Sequence, residues 1–202
     1  MSVSPLNYNL EFIPDLKKFI FEGKEIISIQ CKKPTNSITL HAAELKIKKC
    51  HVEFKGEIIR ATPRINPKKE ELTIRLAKKI NGHANLFIDF TGILNDRLLG
   101  FYRSKYEING KTKYLATTQF EAADARRAFP CWDEPQSKAT FEISLVVAKN
   151  FTAISNMPVK SKQKIGEKIR YVFSQTPTMS TYLVYLGVGE FEYLKGKIGK
   201  TE

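Results

Sequence analysis

Gln119 and Glu121 are the residues whose types and spacing best suit chemistry. They flank Phe120 at the end of a strand-like stretch, Lys113–Gln119, and a strand sends alternate side chains to opposite faces. Continuing that strand through Glu121 anchors Phe120 in a core and leaves Gln119 and Glu121 on one outer face. A carbonyl oxygen and a carboxylate side by side suit a primary ammonium, which has three donors and a positive charge. The same residues allow a plainer arrangement, an ion pair between Glu121 and Arg126 or Arg127. Residue types alone leave both open.

The surrounding segment, Thr117–Pro135, is dense in chemistry. It holds the only Trp, a Cys, two Arg, two Pro and acids at 121, 124, 133 and 134. Loops of this kind on a rigid β scaffold are common functional sites. Its second half reads as structural. Asp124 falls in a helical turn, Arg126 and Arg127 can reach back to Asp133 or Glu134, and Phe129–Trp132 forms an apolar plug. Pro135 forces the chain extended. Asp133 and Glu134 are adjacent, a poor arrangement for a shared catalytic site.

Other chemistry is weakly supported. Three His and three Cys include no CxxC, HxxxH or HExxH spacing, and no metal ligands are assigned. Cys50 and His51 are neighbours, so on a strand they point to opposite faces. No catalytic residue is assigned. Gly187-Val188-Gly189 lies in a strand pattern without the helix of a dinucleotide site, and reads as a bend or bulge.

The elements that must position these residues are strands. Leu72, Ile74 and Leu76, then Leu86, Ile88 and Phe90, then Phe141, Ile143, Leu145 and Val147 recur with period two. Further strands are expected at 8–13, 18–21, 26–31, 37–41, 45–54, 58–65, 101–108, 113–119, 152–157, 169–174 and 182–191. Asn109-Gly110 is the strongest hairpin signal, because a type I′ turn wants positive φ at both central residues. Lys55-Gly56, Asn81-Gly82 and Gly166 mark further turns. Two short helical stretches are expected, at 95–99 and 122–128. The fold class is all-β: a large, mostly antiparallel β-sandwich with one or two short helical turns, residues 1–202 forming a single domain.

Composition sets the class. The chain has 202 residues, 42% hydrophobic and 27% charged, which excludes disordered, collagen-like and disulfide-stapled chains. No apolar run is long enough for a membrane span, and the N-terminus lacks the features of a secretory signal. Three scattered cysteines point to a reducing, cytoplasmic location. The net charge of +12 comes mainly from Lys, 25 against 8 Arg, spread along strands. That distribution reads as a solvated basic surface, with neither nucleic acid nor membrane as a partner and an acidic partner still possible.

Several ordered motifs resemble a known family. Thr118–Pro135 resembles the signature of the N-terminal β domain of zinc aminopeptidases of the aminopeptidase N, puromycin-sensitive and tricorn-interacting-factor type. Ile38–Ala42, Leu45–Ile47, Leu86–Asp96, Leu99–Ser104, Lys138–Ser144 and Ile154–Pro158 resemble further family motifs in the expected order. The resemblance covers essentially the whole chain and implies a saddle-like β domain that precedes a thermolysin-like catalytic domain. It also implies that Gln119 and Glu121 hold the free α-amino group of a peptide substrate. The family's Gly-x-Met-x-Asn loop and HExxH helix are missing from the sequence. Zinc is then expected in the full-length enzyme, with none bound by this domain, and this chain alone is expected to be inactive. Peptides and the missing catalytic domain are the expected partners. The alternative is a non-catalytic β-sandwich module or scaffold subunit. An apolar patch near residues 119–121 and the C-terminal strand would favour the enzyme, as would an HExxH in the frame downstream.

Overall fold

The computed structural model describes residues 2–192 together with 194, 196 and 199. The strands are β1 (Val3–Asp15), β2 (Ile20–His41), β3 (Lys46–Phe54), β4 (Glu57–Asn66), β5 (Glu71–Ile93), β6 (Gly100–Ile108), β7 (Lys111–Gln119), β8 (Thr140–Ala148), β9 (Thr152–Ser155), β10 (Val159–Ile165), β11 (Lys168–Phe173) and β12 (Leu186–Gly189). They form an eight-stranded sheet, β10-β11-β8-β1-β2-β5-β3-β4, and a four-stranded sheet, β6-β7-β12-β9. The all-β expectation holds. Pairing is antiparallel between these strands except for β1 with β8.

Period-two patterning builds the core. Along β1, Tyr8, Leu10 and Phe12 are buried while their neighbours face outward. Phe12, Phe21, Phe90, Phe101 and Phe129 pack edge-on or tilted across the two sheets, the aromatic arrangement that quadrupoles favour. Phe101 belongs to the small sheet and Phe21 to the large one, so one cluster joins both.

Several turns match their chemistry. Asn109 and Gly110 have φ of 51° and 70°, and Lys55 and Gly56 have φ of 52° and 80°, each pair closing a two-residue hairpin. Gly166 turns β10 into β11. Other expectations need correction. Asn81-Gly82 is no turn: β5 runs through it, with Gly82 at φ 93° opposite Cys31. The segments 18–21, 26–31 and 37–41 are not separate strands. β2 runs from Ile20 to His41 as one strand, with residues 18 and 19 in the turn before it, and absorbs irregularities between Cys31 and Ser37. Residues 95–99 form a bridge and bends rather than a helix, because the Asn95 side chain bonds the loop's own backbone, accepting from Arg97 N and donating to Leu99 O. The helix expected at 122–128 is one 3₁₀ turn, Ala125–Arg127. The strand expected at 182–191 is β12 alone, after a 3₁₀ turn at Thr181–Leu183.

Candidate functional site

β7 brings the chain to the site. It pairs with β6 through Gly100–Gln119 and with β12 through Thr117–Gly187, then ends at Gln119, where the strand expected at 113–119 ends, so Phe120 and Glu121 lie just past it. The alternation still holds beyond it. Phe120 is buried against the Phe129 ring, with centroids 6.1 Å apart, while Gln119 and Glu121 are exposed. Among the described residues no cation pairs with Glu121.

The two nearby arginines are committed elsewhere. Arg126 Nε donates to Asp133 Oδ2 at 3.0 Å and its Nη1 to Glu70 Oε2 at 3.1 Å. Arg127 donates to Asp124 Oδ1 at 2.8 Å, Glu44 Oε1 at 2.7 Å and Glu70 Oε1 at 3.0 Å. The expected Arg126–Asp133 contact is present. Glu134 accepts instead from Gln136. Glu44 and Glu70 were not among the expected partners. They lie 83 and 57 residues from Arg127 in the sequence, and no local pattern marks them.

Backbone bonds stitch the segment to the end of β2. His41 N donates to Cys131 O at 2.8 Å, Cys131 N to His41 O at 3.0 Å, and Ala43 N to Arg126 O at 2.9 Å. Asp133 N donates to His41 Nδ1 at 3.1 Å, and Trp132 N to Tyr8 Oη at 3.2 Å. Asp133 is buried and also accepts from the Thr181 hydroxyl at 2.8 Å. Its lone pairs are occupied by structural donors, as a buried carboxylate requires. The Phe129–Trp132 plug is buried as expected. Gln119 and Glu121 therefore leave a rigidly held segment.

Among the described residues no group of three or more His, Cys, Asp or Glu is arranged to hold a metal. Cys50 lies opposite Ile88 and His51 opposite Phe87, on the two faces of β3. His51 stacks on the Phe87 ring with centroids 4.5 Å apart. Burial pushes the Cys50 thiol up to about 12 and the Cys131 thiol well above its ordinary value, so neither is a poised nucleophile.

Beside the site, the small sheet carries an apolar outer face. Ile154 and Tyr185 close over Gly187, where a Cβ would lie 2.7 Å from Ile154 and 2.9 Å from the Tyr185 hydroxyl. Tyr185 also meets the Thr117 hydroxyl at 3.2 Å. Asn156 fixes the adjoining loop through Leu183 O and Tyr185 N. Ile154, Leu183 and Tyr185 are all exposed.

Residues 4–183 match the family model described as the peptidase M1 N-terminal domain. The chain belongs to this family. Among relatives of this M1 domain, aminopeptidase M1-A of Oryza sativa subsp. japonica is 45% identical over 199 residues, covering 95% of this chain and 23% of the relative. Aminopeptidase 2, mitochondrial, of Saccharomyces cerevisiae is 42% identical over 205 residues, covering 97% and 21%. Aminopeptidase M1-D of Oryza sativa subsp. japonica is 40% identical over 194 residues, covering 96% and 22%. The M1 domain chain thus spans about a fifth of the length of these relatives. No helix of its described residues is long and apolar enough to cross a membrane.

Proposed function

We propose that this chain is a single β domain at the N-terminal side of a longer zinc aminopeptidase that releases N-terminal residues from peptides. Gln119 and Glu121 hold the substrate's free α-amino group. The observation that carries this reading is the free carboxylate of Glu121. Two arginines follow it at five and six residues, yet both are engaged by Asp124, Asp133, Glu44 and Glu70. Glu121 stays exposed for an outside cation, and Gln119, two residues before it, is exposed as well.

The division of labour follows from chemistry. An ammonium held at a fixed point aligns the first peptide bond for attack, and positioning of this kind lowers the barrier without any group of this chain reacting. Zinc, which supplies an activated water in such enzymes, has no ligand set among the described residues and on this reading is held by the longer protein. On this reading the chain alone does not hydrolyse peptides. The exposed apolar face formed by Ile154, Leu183 and Tyr185 suits docking of the catalytic domain. Its free thiols fit a reducing compartment, the cytoplasm on this reading.

The test uses the longer protein with free and N-acetylated peptides. Glu121→Ala lowers kcat/KM for the free peptide by about 10- to 100-fold or more, the worth of a charge-assisted hydrogen bond. Cleavage of an acetylated peptide, already poor, is not lowered further. Undiminished kcat/KM on the free peptide rules out the amine anchor.

A further inference from the structure

Arginine usage divides this molecule. Of eight Arg, five are engaged by carboxylates: Arg97 by Glu44, Arg103 by Asp96, Arg126 and Arg127 as described, and Arg170 by Glu11. The other three, Arg60, Arg64 and Arg75, have no ion-pair partner among the described residues, and all are exposed. They share one place. In the β4–β5 ladder Thr62 lies opposite Arg75 and Arg64 opposite Thr73. Arg60 and Arg64 point the same way as Thr62, two residues to either side of it, while Ile59 and Ala61 face the core. Arg75 therefore stands between them, each pair being a diagonal neighbour about 7–8 Å apart. Ser37 and Thr39 of β2 continue the same face beyond Arg75 and Thr73.

The carboxylates around this face neutralise it only at one end. Glu57 is held by Lys78, and Glu71, opposite Asn66, is a diagonal neighbour of Arg64 on the side away from Arg60 and Arg75. A shallow depression of about 560 Å³ runs between Arg64, Thr73 and Arg75, with Glu71 also on its wall.

We propose that this face binds an extended acidic polypeptide segment with carboxylates at alternate positions. In an extended chain, side chains two residues apart lie about 6.6–6.8 Å apart on one side. That step matches the series Arg60, Arg75, Arg64 taken along β4. Guanidinium forks take carboxylates two hydrogen bonds at a time, and the Thr and Ser hydroxyls can satisfy the intervening polar groups. The residues around Arg64 and Arg75 on this face, Thr62 and Thr73, carry no ring, and the aromatics beside Arg60, His51 of β3 and Phe87 of β5, are already stacked on each other, which favours a peptide over single-stranded nucleic acid.

The test is fluorescence anisotropy with a labelled peptide alternating Glu and Thr, near 0.1 M salt where the screening length is about 10 Å. A peptide of the same composition with its Glu in one block, and a short DNA duplex, serve as comparisons. The alternating peptide binds best, and Arg60→Gln, Arg64→Gln and Arg75→Gln each weaken it roughly three- to tenfold. Arg75→Lys weakens it too, since charge remains and the fork is lost. Lys160→Gln, on β10, changes nothing. The proposal fails if no peptide binds or if Lys160→Gln weakens binding as much as Arg75→Gln. It fails equally if the blocked peptide binds as well, or if the duplex binds more tightly through the same arginines. These side chains are exposed, so circular dichroism and Tm should show folded variants.

Discussion

Glu70 binds two adjacent arginines at once, taking Arg126 Nη1 at 3.1 Å on one carboxylate oxygen and Arg127 Nη2 at 3.0 Å on the other. The contact ties the turn between β4 and β5 to the segment that leaves the candidate site. Replacing Glu70 by Gln strips both guanidinium groups of a charged acceptor. Charge-assisted bonds are worth about 1.5–3 kcal/mol when shielded, and the partial exposure of this cluster reduces that. We expect Glu70→Gln to lower stability by about 1–2 kcal/mol, read as a lower urea midpoint at unchanged m-value. An unaltered midpoint would mean that Asp124, Asp133 and Glu44 suffice.

Glu121 gives the opposite expectation. It is exposed and has no ion-pair partner among the described residues, so Glu121→Gln should shift stability by no more than about 0.5 kcal/mol, as surface changes usually do. A Tm within about 2 °C of the parent is expected. A larger loss would make Glu121 a structural residue and remove the separation between scaffold and ligand group.

That separation was only half legible in the sequence. The alternation Gln119–Phe120–Glu121 could be read because period two is a local property, and the Phe129–Trp132 plug because apolar residues cluster there. Both were found where expected. The latch was not legible, since Glu44 and Glu70 approach Arg127 only after β2 and β5 pair along most of their lengths. The same long pairing hid the continuity of these strands. Asn81-Gly82 carries turn chemistry, yet a long twisted strand accommodates it as a local irregularity with Gly82 at positive φ.

β2 and β5 also explain two glycines. Gly23 faces Phe90 across the ladder, and Phe21 faces Gly92. A Cβ at Gly23 would lie 2.3 Å from the Phe90 ring, and one at Gly92 would lie 2.2 Å from the Phe21 ring. Each ring covers the opposite glycine, so no side chain fits there without displacing a buried aromatic. Gly23→Ala should cost about 1–3 kcal/mol by overpacking, measured in the same urea titration. Gly196→Ala, where a Cβ meets nothing within 4 Å, is the control and should be close to neutral. Equal effects at the two positions would show that lost backbone freedom, rather than the ring, decides the outcome.

Glu25 should make stability fall as pH rises. It is 2% exposed on the core face of β2, and neither carboxylate oxygen has a hydrogen-bond partner among the described residues. The ionisable groups that feel its charge are Tyr8 of β1, Cys50 of β3 and Cys131 of the plug, none of them cationic at neutral pH. Burial therefore holds the carboxyl well above its ordinary value, and the folded state keeps its proton. The unfolded chain releases that proton near the usual Glu value of about 4.3. Below that value both states are protonated and the contribution to stability is fully present. Above it the unfolded state alone ionises, so stability falls by up to about 1.4 kcal/mol per pH unit until the raised folded value is reached. Glu25→Gln removes the ionisation and keeps the shape. The variant should gain on the parent as pH climbs from 4.5 to neutrality, and the two should converge near pH 4. Parallel stability curves for parent and variant across that range would mean that Glu25 finds a compensating partner when it ionises.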